Sequence, residues 1–310
     1  MSRSREAVGE GASGGSLGGM SGGIPFLKGH GTGNDFVLLP DPDGSLALTD
    51  AQVRAITDRR FGIGGDGVLR AVPTRCAAAD EPGLAAYADT AEWFMDYRNA
   101  DGSKAEMCGN GARVFARHLV DSGAVAGPSF DLATRGGLRR VTVHDGGDVT
   151  VDMGVPEPMR ARLMPQVRVG DRAWPATAMH LPNPHAVVFL ESEAELAGLD
   201  LSAAPEVHAG PEFADGVNVE FAVRRGDHHV GMRVHARGVG ETLSCGTGAC
   251  AVMVAAAARD GAEPVSSYAV DVPGGALTVS RTEDGHVHLT GPAVVVASGE
   301  LDAGWLARQR

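Results

Sequence analysis

Cys108-Gly109-Asn110-Gly111-Ala112 and Cys245-Gly246-Thr247-Gly248-Ala249 carry one motif twice, and each opens directly into a helix-forming run. After Gly248 the run is Ala, Cys, Val and Met as far as Ala258, with no proline or glycine to break it, which is the composition of a buried helix. The likeness extends in both directions. Downstream, the stretches beginning at Phe130 and Tyr268 each reach a Gly-Gly pair at the same distance, Gly136-Gly137 and Gly274-Gly275. Upstream, Asn34 and Asn183 each stand just before a strand-like run. An order of Asn, Cys-headed helix and Gly-Gly hairpin that occurs twice implies two similar units from an ancient duplication. Two copies are too few for a solenoid.

The motif also constrains the chemistry. Glycines in the first turn leave backbone amides open to a small anion. A cysteine at a helix N-terminus meets the positive end of the dipole, which favours thiolate over thiol and lowers a pKa that is otherwise about 8.5. Two units facing each other would bring Cys108 and Cys245 to opposite sides of one carbon. One sulfur could then remove a proton and the other deliver one, inverting a stereocentre. The loop amides could hold a carboxylate that turns enolate-like as the proton leaves. The opposing consideration is that cysteine is often simply buried packing. Cys76 and Cys250 are assigned to that class, whereas the matched glycine-framed loops set Cys108 and Cys245 apart. Four cysteines without a secretory signal do not suggest a structural disulfide. No CxxC or paired-His spacing completes a zinc site, so no metal is expected.

A chain of 310 residues with net charge −12 suits one large or two medium domains and offers no nucleic-acid groove. Residues 1–23 are rich in Gly and Ser and read as a disordered tail. No signal-peptide core or membrane-length apolar run is present, so a cytoplasmic location is expected, without membrane association. The fold class is α+β, with antiparallel strands wrapped around a central helix in each of two pseudo-symmetric domains. Residues 24–153 form the first half, 154–290 the second, and 291–303 cross back to the first. Strands are expected at 25–28, 36–39, 68–72, 92–98, 166–174, 186–190, 217–223 and 230–236, with a short helix over 49–60 capped by Thr49. The Gly-rich loop Phe61–Gly67 precedes a strand rather than a helix, which argues against a dinucleotide fingerprint.

Six blocks now stand together: HGTGNDF (30–36), YRNADGS (97–103), MCGNGAR (107–113), NPHAVVF (183–189), GVNVEF (216–221) and RGVGETLSCGTGAC (237–250). In this order the chain resembles the diaminopimelate epimerase family over about residues 24–300. The resemblance implies interconversion of LL- and meso-2,6-diaminopimelate without metal or pyridoxal phosphate, in a cleft between the two halves, on the route to lysine and peptidoglycan. It implies Cys108 and Cys245 as the acid–base pair. It also implies Gly109, Asn110, Gly246 and Thr247 around the reacting carboxylate. Asn34, Asn99, Asn183, Asn218 and Arg237 match substrate-binding positions, and His185 a supporting one. A homodimer is implied at the family level alone. His30 reads as structural, and turn chemistry competes for the asparagines. Ala236 stands where the family commonly has Glu, and Gly67 where some members have Gln. The first departure leaves open a racemase of another amino acid on the same fold, and a non-catalytic amino-acid-binding protein that kept the pocket is a separate alternative.

Overall fold

The computed structural model describes residues 22–158, 164–208, 210, 213, 216–261 and 265–309. The expected N-terminal tail, apart from Gly22 and Gly23, lies outside the described residues.

The chain starts with the hairpin β1 (Ile24–Gly31) and β2 (Asn34–Pro40), then helix α1 (Asp50–Thr57) and strand β3 (Gly67–Pro73). A one-turn helix α2 (Thr74–Ala77) and a 3-10 turn at Pro82–Tyr87 precede β4 (Trp93–Asn99). Helix α3 (Gly109–Asp121) leads to β5 (Ser129–Thr134), β6 (Gly137–Val143), β7 (Asp148–Asp152) and the two-residue β8 (Glu157–Pro158). Next come β9 (Gln166–Val169), β10 (Arg172–Pro175), β11 (Thr177–His180), β12 (Pro184–Phe189), α4 (Glu193–Ala197) and β13 (Glu206–His208). They are followed by β14 (Asn218–Gly226), β15 (His229–Ala236), β16 (Gly240–Thr242) and α5 (Gly246–Asp260). The chain ends with β17 (Ser266–Val272), β18 (Gly275–Arg281), β19 (Val287–Pro292), β20 (Val294–Leu301) and α6 (Ala303–Ala307).

The strand pairings repeat as the sequence motifs do. From β1 to β7 the successive pairings are antiparallel, parallel, antiparallel, parallel, antiparallel and antiparallel. The series β11–β12–β14–β15–β17–β18–β19 repeats that order of directions without a change. Helix α3 lies between β4 and β5, and α5 between β15 and β17, in the same place of each series. The strand that follows each series crosses to the other: β8 pairs with β11, while β20 pairs with β1. Strand β7 also pairs directly with β19. All strands except β9, β10 and β13 therefore join in one 17-stranded sheet. The stretch 154–165 contains β8, and the single strand expected at 166–174 is the β9–β10 hairpin of a separate three-stranded sheet.

Both central helices are buried in one apolar core, which takes in Ala112, Val114 and Phe115 of α3 with Ala249, Val252 and Met253 of α5. The small side chains of α5 allow strands to close around it on every side, so its residues from Gly246 to Met253 are all buried. Strand β14 separates two environments by its period of two. Val219, Phe221 and Val223 face a second core with Leu196 and Leu199, whereas Ala222 joins the core around α5. Among the described residues, no helix is long and apolar enough to cross a membrane.

Candidate active site

Helices α3 and α5 begin alike. Cys108 (φ −141°, ψ 117°) and Cys245 (φ −131°, ψ 115°) are their extended cap residues. Each sulfur accepts from the amide three residues on, that of Gly111 or Gly248, at 3.4 Å. Oxygen side chains cap helices well and are the preferred choice. Helix stability alone does not explain sulfur in that place twice.

The two heads abut. A Cβ on Gly246 would fall 3.5 Å from Gly109 Cα and 2.8 Å from Leu289 Cδ2, so the close approach of the loops depends on glycine there. Asn110 spans the gap: its Nδ2 donates to the Ser244 carbonyl (3.4 Å), to Ser244 Oγ (3.3 Å) and to Asn34 Oδ1 (3.2 Å). Thr32 Oγ1 adds a 2.6 Å bond to Ser244 Oγ. The cysteines of both motifs thus share one seam, as the duplication implies.

Around Cys108, the thiol lies 3.7 Å from Asn34 Oδ1, and Asn34 Nδ2 donates to Asp66 at 2.7 Å. Asp66 is held by Arg59, which also grips Asp35 through two hydrogen bonds, while Lys28 closes on Asp35 from the other side. Around Cys245, Thr247 Oγ1 is 3.4 Å from the sulfur. His185 is fully buried between Asn183, whose Oδ1 meets Nε2 at 2.9 Å, and Glu220, whose Oε1 meets Nδ1 at 2.7 Å. Asn218 accepts from the Arg237 amide (2.9 Å) and donates to the Pro184 carbonyl (3.3 Å).

Two expected residues stand apart. Asn99 spends its side chain on Ser103 in its own turn, at 3.0 Å, so the turn-chemistry reading describes its present contacts. Arg237 is exposed, with its stem against Gly216, and touches this network only through its backbone. His30 accepts from the Gly33 amide in the β1–β2 turn, which suits its structural reading. Cys250 is fully buried and packed, as expected.

The expected lowering of the cysteine pKa values is overturned. Burial pushes the Cys108 thiol up, against the amides of Gly111 and Asn110 and the charge of Arg113. Burial, reinforced by the Glu220 carboxylate, pushes Cys245 up to about 11, against Thr247 and the Gly248 amide. A helix terminus is worth only about 0.3–1 kcal/mol to a nearby charge, less than the cost of taking a thiolate out of water. Cavities of about 230 and 360 Å³ open elsewhere, at the far ends of α5 (beside Ala256 and Arg259) and α3 (beside Arg117 and Asp121).

Residues missed in the sequence include Asp66, Ser244, Thr32, Arg113 and Glu220. A signal existed for Glu220: it is a carboxylate inside the apolar strand run VNVEFAV. Arg113 gave none, being one of two arginines in an otherwise ordinary helix.

The diaminopimelate epimerase family model matches residues 26–158 and 177–296. The chain belongs to the diaminopimelate epimerase family. Relatives named diaminopimelate epimerase include that of Streptomyces coelicolor, 54% identical over 93% of this chain and 98% of the relative. That of Mycolicibacterium smegmatis is 46% identical over 90% and 97%. The fold is shared more widely. A probable proline racemase from Agrobacterium radiobacter superposes with TM-score 0.61 at 18% identity, over 90% of this chain and 93% of the other. A phenazine biosynthesis protein of the PhzF family from Bacillus anthracis does so with 0.62 at 16%, over 90% and 99%. The expected family, α+β fold and epimerase activity are borne out.

Proposed function

We propose that the protein interconverts LL- and meso-2,6-diaminopimelate by a two-base reaction, with Cys108 and Cys245 as the bases and no cofactor. One observation carries this: two matched, cysteine-capped helix heads meet at a single seam. The names of the 46–54% identical relatives supply the substrate. The proposed organisation is that of residues 24–153 with 291–303 against 154–290, in the cytoplasm and as a homodimer.

In this reading the substrate carboxylate lies on the amides of Gly109, Asn110, Gly246 and Thr247. One sulfur enters as thiolate and takes the α-proton; the other, a thiol, gives its proton to the opposite face. The products are the inverted carbon and a protein whose two sulfurs have exchanged roles. High thiol pKa values suit this task, because a thiolate that is hard to form is a stronger base once formed. Excluding water around the pair then strengthens each charge that stabilises the enolate-like intermediate. Asn34, Asn99, Asn183, Asn218 and Arg237 hold the rest of the molecule, Arg237 offering its fork to the distal carboxylate. In this role Arg237 gains its partner only when substrate is bound.

The test is inversion and solvent-deuterium incorporation at Cα with each isomer, on wild type, Cys108→Ser and Cys245→Ser. Each variant is expected to lose at least about 100-fold in inversion rate, the usual worth of a positioned acid or base. A serine variant at the wild-type rate would remove that cysteine from the reaction. Greater activity on glutamate, histidine or proline than on diaminopimelate would move the proposal to another amino acid.

A further inference from the structure

The internal repeat allows the two helix heads to be compared position by position. Asn34 and Asn183 occupy equivalent places, so Phe36 corresponds to His185. The register of β2 on β3 pairs Phe36 with Gly67, and that of β12 on β14 pairs His185 with Asn218. Two residues on, Leu69 therefore corresponds to Glu220. The packing agrees. A Cβ on Gly111 would meet Leu69 (3.1 Å) and Phe36 (3.5 Å), whereas one on Gly248 would meet Glu220 Oε1 at 2.6 Å. Beneath the Cys108 head lies an apolar Phe–Leu pair, and beneath the Cys245 head a hydrogen-bonded His–Glu pair. A second exchange has the opposite sign. Arg113, five residues after Cys108, corresponds to Cys250, five residues after Cys245. Arg113 is fully buried and bonds only to the Pro292 carbonyl (3.2 Å) and Thr32 Oγ1 (3.2 Å), with no carboxylate partner among the described residues.

We infer that the fold makes its two cysteines inequivalent: in the substrate-free protein Cys245 keeps its proton and Cys108 is the sulfur that ionises first. Glu220 is the positioning residue responsible at one head and Arg113 its counterweight at the other.

The proton arrangement at the His185 corner follows from its contacts. Asn183 Oδ1 accepts from Nε2, so that nitrogen carries a hydrogen, and a second hydrogen is shared across the 2.7 Å contact between Nδ1 and Glu220 Oε1. The carboxylate is the member that packs on the first turn of α5. Its other oxygen, Oε2, is buried without a hydrogen-bond partner, so its charge is incompletely neutralised toward Cys245. The titratable and charged groups around the two sulfurs are His185 and Glu220, Arg113, Asp66 before β3 and Tyr97 of β4. Among them Glu220 acts on Cys245, whereas Arg113 and Asp66 act in opposite directions on Cys108. Val219 lies opposite His235 and Glu220 opposite Val234, so Ala236 shares the face of Glu220 on the neighbouring strand and brings no second carboxylate to it.

This deepens the two-base reading and rests on it for its consequence, that the resting enzyme is set for the isomer whose α-hydrogen faces Cys108. Its test needs no substrate and so stands or falls separately from the activity. The pH dependence of iodoacetamide alkylation is followed at each cysteine by peptide mass spectrometry, in wild type and Glu220→Gln. In wild type the Cys108 midpoint should lie at least one pH unit below that of Cys245. In Glu220→Gln the Cys245 midpoint should fall by about one unit while that of Cys108 stays within a few tenths. Equal or reversed midpoints in wild type would overturn the inference, as would a Cys245 midpoint unmoved by Glu220→Gln. If that variant does not fold, His185→Phe with Glu220→Leu installs the apolar pair that the other head already accommodates, and the same fall is required of it.

Discussion

Gly246 fixes the distance between the two cysteine-bearing loops more directly than any charged group. Its missing side chain is the space into which Leu289 and Asn110 fit. Gly246→Ala should displace the Leu289 methyl and the Asn110 amide by a few tenths of an ångström and part the heads. Because misplacement of reacting groups by about 1 Å can cost on the order of 100-fold, kcat is expected to fall at least about tenfold. The Tm should drop by only a few degrees, since the flexible end of Leu289 can yield. Steady-state kinetics and thermal denaturation check both. At this scale the sequence was legible where identity and spacing coincide: Cys108, Cys245 and their glycines were all readable. The protonation of the cysteines was not, because their burial depends on strands far away in sequence. The pairing of Glu220 is not legible in the sequence, because its partner His185 lies 35 residues earlier and meets it through parallel strand pairing.

Helix α1 shows local sequence setting an element boundary. Thr49 Oγ1 accepts from the Gln52 amide, and Gln52 Oε1 accepts from the Thr49 amide, a complete capping box. Thr49→Ala should cost about 1 kcal/mol and lower the Tm by roughly 2–4 °C without changing kcat. Differential scanning calorimetry beside an activity assay would show it. The expected strands around 36–39, 68–72, 92–98, 217–223 and 230–236 formed with slightly shifted ends, because alternation and apolar runs are local signals. Strand β8 had no such signal. Two residues long, it exists only because Glu157 and Pro158 meet β11.

For the molecule as a whole, the two half-buried sulfurs at one seam give a redox prediction. A thiol oxidant such as diamide, taking two electrons and two protons, should join Cys108 to Cys245 and abolish activity. A dithiol reductant should restore it, with the cross-linked peptide visible by mass spectrometry. Full activity in a verified cross-linked sample would contradict the two-base reading. The repeat itself was legible, since the motifs recur in order. Its reciprocal exchange of strands was not, because sequence similarity shows that two units exist and not how their edges pair.

That exchange has a mechanical consequence. Strand β7 bonds to β19, β8 to β11 and β20 to β1, so a hydrogen-bonded ribbon runs uninterrupted from one cysteine's surroundings to the other's. Any movement that lets an amino acid in must put torsion into that ribbon, as in a leaf spring, because these strand pairs tie the two series edge to edge. Elastic recoil would then return the sulfurs to their mark after each turnover, and stiffening the ribbon would slow admission and release before it touched the proton transfers themselves.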